Sequence, residues 1–106
     1  MADQILLAIS TFPDAETASR IAQALVEEKL AACANIIPNI RSIYRWKEKI
    51  ETAGEVMVFF KTTEDRLTAF GEKLRSLHPY EVPELLSIKI DNGSPDYLRW
   101  VIDNCR

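Results

Sequence analysis

Of the residue types on which most catalytic and cofactor-binding motifs depend, the 106 residues hold one histidine, two cysteines and three glycines. A lone His78 cannot serve several sites, and neither Cys33 nor Cys105 neighbours it in sequence, so no Ser/His/Asp or Cys/His pairing is credible. Gly54, Gly71 and Gly93 are isolated, which removes the phosphate-cradling and dinucleotide-binding glycine patterns. These gaps argue against an ordinary enzyme. Two thiols make no disulfide framework. There is no basic stripe: 13 basic residues against 16 acidic ones leave a net charge of −3, so no nucleic-acid partner is expected. No apolar run approaches the roughly 20 residues of a bilayer span, so no membrane partner is expected. Met1-Ala2-Asp3-Gln4 carries neither the basic region nor the apolar core of a leader, which predicts a reducing, cytoplasmic setting.

What is present suits one domain spanning residues 1–106, 47% hydrophobic and 27% charged. Ile5 to Phe12 is a short apolar run that reads as a central strand. Pro13 breaks it, Asp14 is placed to cap a helix, and Ala18, Ile21, Ala22 and Leu25 recur at helical spacing to about Leu30. Ala32 to Ile37 is again strand-like, and Pro38-Asn39 marks a bend or bulge. From Ile40 the chain alternates, with Ser42, Tyr44 and Trp46 on one side and Arg41, Ile43, Arg45 and Lys47 on the other. A turn is expected near Thr52-Ala53-Gly54, followed by a strand over Glu55 to Thr62 that closes an antiparallel hairpin. A second helix starts near Thr63, carries Leu67, Phe70, Leu74 and Leu77 inward, and stops at Pro79. Pro83 to Ile90 is the fourth strand, and Ser94-Pro95 opens a short last helix. Cys33, in an apolar run, is expected to be buried, and Cys105, near the last residue, to fray.

The order β-α-β-β-α-β-α predicts an α+β, ferredoxin-like sandwich with an extra C-terminal helix. Helices on one face leave the other open. Val56, Val58 and Phe60 alternate with Met57 and Phe59 as though all five were buried, and Tyr44 and Trp46 lie on a projecting hairpin. Such a surface predicts association with further copies of the chain, with Trp46 as an anchor. The alternative is cover by the third helix.

Four stretches carry a family resemblance: Leu30-Ala31-Ala32-Cys33-Ala34-Asn35-Ile36-Ile37-Pro38, Ser42-Ile43-Tyr44-Arg45-Trp46-Lys47-Glu48-Lys49-Ile50, Phe60-Lys61-Thr62, and His78-Pro79-Tyr80-Glu81-Val82-Pro83-Glu84. With Tyr97-Leu98-Arg99-Trp100 they resemble the CutA family in order and spacing across nearly the whole chain. The resemblance implies a ferredoxin-like protomer in a homotrimer similar to the PII signalling proteins. It also implies a role in tolerance of divalent metal ions, copper above all. In some members copper is assigned to positions that here hold Ser10, Leu77 and His78. Only the imidazole suits Cu(II), so any copper site should be weak. Read from the residues alone, His78 is a helix C-cap before it is a copper ligand.

The cleft candidates are Lys61, Tyr80, Glu81, Glu84 and Trp46. Tyr80, Glu81 and Glu84 share a proline-bounded loop of the kind that lines clefts, and the two carboxylates suit a hard cation weakly. Lys61 would bind an anion or Glu84, or simply extend to water. The rival readings are a PII-like sensor holding a small anionic ligand on Lys61 between subunits, and a structural trimer whose metal phenotype is indirect.

Overall fold

The pleat of the first strand decides which residues form the core. In the computed structural model, which describes residues 4–106, β1 (Ile5–Phe12) lies second from one edge of a four-stranded antiparallel sheet ordered β2-β3-β1-β4. The leader reading of Met1 to Asp3 lies outside the described residues. Ala8, Ser10 and Phe12 point to one side of β1, where they meet Val56, Val58 and Phe60 of β3 (Lys49–Thr63). Helix α1 (Ala15–Glu27) lays Ala18, Ile21, Ala22 and Leu25 on this layer, and α2 (Leu67–Leu77) adds Phe70 and Leu74. Leu67 and Leu77 are half-buried at its margin. A single turn of 3-10 helix, Glu64–Arg66, precedes α2.

The helix signals hold in detail. Asp14 accepts the Thr17 amide at 2.7 Å and caps α1. The helix stops three residues short of Leu30 because Lys29 takes φ 59°, so that the Lys29 and Leu30 amides bond back to Val26 and Leu25. This turn-back buries Leu30 under the core.

The hairpin differs from expectation. β2 (Cys33–Trp46) pairs with β3 without a break from Ile40↔Glu55 to Trp46↔Lys49, so Thr52, Ala53 and Gly54 lie within the strand and not in a turn. The turn is Lys47-Glu48, with φ of 50° and 69°. These positive values match the twist of the two strands, although neither residue favours them. The double substitution Lys47→Asn with Glu48→Gly should raise stability by about 1 kcal/mol, measured by denaturant unfolding. Pro38 and Asn39 do form a bulge: the register slips between Ile37 and Ile40, and Asn39 has φ 64°. The free end of the hairpin stretches the chain to 46 × 25 × 22 Å.

β4 is shorter than read, Leu86–Lys89 instead of Pro83 to Ile90, because the ladder with β1 runs from Ile9↔Leu86 to Leu6↔Lys89 and beyond it only the Ile90 amide bonds back, to Ile5. Helix α3 (Pro95–Asp103) packs Val101 on Ile5 and Ala32, and Cys105 just beyond it joins the same cluster. It therefore covers one end of the sheet face opposite α1 and α2, and only that end. On the same face Met57 and Phe59 are half-buried, not buried as their neighbours are.

The two cysteines exchange their expected roles. Cys33 is half-exposed, because its position on β2 faces the open side. Cys105 is buried, with 3% of its surface exposed, because the chain after α3 folds back onto Ile5 and Ala32. Burial pushes its thiol above the ordinary value. Thiol reagents should therefore label Cys33 in the native protein and reach Cys105 only as the protein unfolds.

Candidate functional site

α2 ends at Leu77, and His78 turns out of the helix into extended backbone. Its amide still bonds Leu74, but its ring leaves the helix end and is buried. The Nε2 atom lies 2.7 Å from the Thr11 carbonyl, and Nδ1 is 3.2 Å from the Tyr80 amide. A carbonyl only accepts and an amide only donates, so Nε2 carries the hydrogen and Nδ1 accepts. The ring is stacked on Phe12 at 4.7 Å and tilted against Tyr80 at 4.7 Å. Both nitrogens thus have protein partners, and a metal would have to displace one. Of the two other positions tied to copper, Leu77 is half-buried and carries no donor, while Ser10 is fully buried with a hydroxyl that has no hydrogen-bond partner among the described residues. Among the described residues no three His, Cys, Asp or Glu side chains converge as a metal-binding group.

Beyond His78 the loop brings Tyr80 to the hairpin. The Tyr80 hydroxyl donates to Glu55 Oε2 at 2.6 Å. Burial first, and then the bond to the Glu55 carboxylate and its charge, push the Tyr80 hydroxyl above its ordinary value, so it stays protonated and keeps donating. Between loop and hairpin opens a cleft of about 640 Å³. Trp46, Tyr80, Glu81 and Glu84 line it, as the sequence suggested, together with Thr11, Ser42, Tyr44 and Glu55. Sequence reading missed Glu55 and Tyr44 as site residues. Tyr44 shares the Trp46 side of the alternation and was findable from it. Glu55 was hidden by the misplaced turn, which put it at the start of a strand rather than opposite Ile40.

Lys61 does not belong to this cleft. It lies six residues along β3 from Glu55, roughly 20 Å at the rise of a strand. There its ammonium donates to Asn35 and to the Cys33 sulfur at 3.6 Å, and sits 5.9 Å from the Tyr97 ring. The expected pairing of Lys61 with Glu84 is therefore not formed, because the two occupy different ends of the sheet.

The CutA1 divalent ion tolerance family matches residues 6–104, which take in every strand and helix but for Ile5, the first residue of β1, and the whole cleft. This chain belongs to that family. A CutA homolog of Xenopus laevis is 50% identical over 93 residues, 88% of this chain and 62% of its own length. The divalent-cation tolerance protein CutA of Thermus thermophilus is 44% identical over 94 residues, 89% of this chain and 91% of its own. The chain spans only 53% of the length of the Mus musculus CutA it matches. Among solved structures, CutA from Xylella fastidiosa superposes with a TM-score of 0.94 at 38% identity, over 96% of this chain and 98% of that one. The solved Cut A1 protein of Thermus thermophilus gives 0.92 at 41% identity, over 94% and 97%. No described helix is long and apolar enough to cross a membrane.

Proposed function

We propose that this CutA chain acts in the cytoplasm as a homotrimer of ferredoxin-like protomers and takes part in the response to divalent metal ions by binding rather than by catalysis. One observation carries the assembly. Opposite α1 and α2, α3 leaves most of the sheet without cover, and the edge strand there presents Leu86 at 56% and Ile88 at 50% exposure. The hairpin adds Ile43 and Ile50, 68% and 61% exposed. Two separate apolar surfaces on one protomer suit a head-to-tail contact, which makes a ring where the rotation between copies closes. A ring of three is what the family resemblance implies.

The metal role follows from the donors. His78 is the one imidazole, and it coordinates only by giving up its bond to Thr11 or to Tyr80. Glu81 or Glu84 would complete the set, which is short for Cu(II). Calorimetry with Cu(II) should show binding no tighter than about micromolar, on the order of −8 kcal/mol, and His78→Ala should abolish it. A nanomolar site that survives His78→Ala would place the ligands elsewhere. The PII-like alternative loses its main support, since Lys61 is remote and the residues lining the cleft include three carboxylates and no basic side chain.

A further inference from the structure

We infer that the cleft between the hairpin and the loop after α2 is a binding site for a small organic ammonium ion. The inference goes beyond the metal reading and does not rest on it. Its first support is size. At about 640 Å³ the cleft falls in the range of small-molecule sites and is far larger than a bare ion needs.

The second support is the chemistry of the walls. Tyr44, Trp46 and Tyr80 supply aromatic surface, and Glu55, Glu81 and Glu84 supply negative charge. Aromatic faces attract ammonium groups through the ring quadrupole, and they do so best for weakly hydrated, alkylated cations. Divalent metals hold their water and ask for converging oxygen ligands instead. An anion would meet three carboxylates and no basic lining residue.

The third support is the state of these groups. Glu55 is engaged by the Tyr80 hydroxyl, which fixes the floor of the cleft. Neither Glu81 nor Glu84 has an ion-pair or hydrogen-bond partner among the described residues, although 13 Lys and Arg side chains were available to the chain. The Trp46 ring already attracts one cation, the Lys47 ammonium 5.7 Å from its centroid. That side chain is exposed at the hairpin tip and can yield the ring to a ligand.

The two tryptophans make the test. Trp46 lines the cleft, whereas Trp100 lies on α3, stacked against Tyr97 beside the Cys33 and Lys61 end of the sheet. The indole N–H resonances of the assembled, labelled protein are followed during titration with tetramethylammonium and with butylammonium, at constant ionic strength. Butan-1-ol is the uncharged control. The Trp46 resonance should move saturably with a midpoint in the millimolar range, while Trp100 stays still and butan-1-ol moves neither. Tyr44→Ala should weaken binding roughly fivefold, the worth of one exposed cation–aromatic contact. The double change Glu81→Gln with Glu84→Gln should weaken it about tenfold, with Tyr80 and Trp46 still in place. Three results would overturn the inference: a Trp46 signal unmoved at tens of millimolar, an equal response to butan-1-ol, or unchanged binding in the double glutamine variant. Copper calorimetry on the same sample reports on the metal reading separately, so either can fail alone.

Discussion

Lysine in place of both Leu86 and Ile88 is expected to break the proposed trimer into single protomers. Both side chains are at least half exposed in the protomer, and β4 already carries Lys89, so the substitution asks nothing of the protomer's own core. In the proposed trimer the same positions would sit against an apolar surface. Placing an ammonium group there without a partner costs on the order of several kcal/mol per site. Light scattering on the unsubstituted chain should give about three times 12.1 kDa, and on L86K/I88K a single copy of 12.1 kDa with its circular dichroism retained. A variant that keeps the full particle mass would show that this strand lies outside the interface.

Replacing His78 with alanine should cost about 3 kcal/mol of folding stability, whatever its effect on copper. The change leaves the Thr11 carbonyl and the Tyr80 amide without their partners, and removes a ring packed between Phe12 and Tyr80. Phenylalanine at the same position keeps the packing and loses only the hydrogen bonds, so it should recover about half of the loss. Urea unfolding of the two variants separates these contributions. A His78→Ala protein as stable as the parent would mean that the ring is not structural, and would return it to consideration as a free ligand.

The elements were legible wherever a side-chain period or a cap residue marked them. The core stripe of α1, the Asp14 cap and the bulge at Pro38-Asn39 all follow from such marks. What escaped had no local signal. Lys47 and Glu48 adopt positive φ because the strands on both sides dictate the turn, while Gly54, the more obvious turn residue, is held by its pairing with Arg41. Cys105 is buried by contacts with residues near the other end of the chain, which no local window contains. The site divides the same way. A proline-bounded loop and a projecting aromatic pointed to Tyr80, Glu81, Glu84 and Trp46. Lys61 was grouped with them on chemistry alone, and distance along one strand separates it. One partner of the His78 ring is a backbone carbonyl 67 residues away, where side-chain identity carries no information.

The bulge at Pro38-Asn39 has a consequence for how this surface can change. Between Ile37↔Met57 and Ile40↔Glu55 two residues oppose Val56 alone, so both pairs lie on the same face and the extra residue is taken up as a bend and added twist. Deleting a single residue at the bulge would restore one-to-one pairing, with Ser42, Tyr44 and Trp46 still on their present side and Arg41, Ile43, Arg45 and Lys47 on the other. The ribbon would straighten, and the gap between its aromatic side chains and the loop carboxylates would change. A lone codon thus sets the width of the cleft, while the strands, the helices and their shared core stay as they are. Chains of this fold that differ by one residue at this point should differ in the size of the ligand they admit.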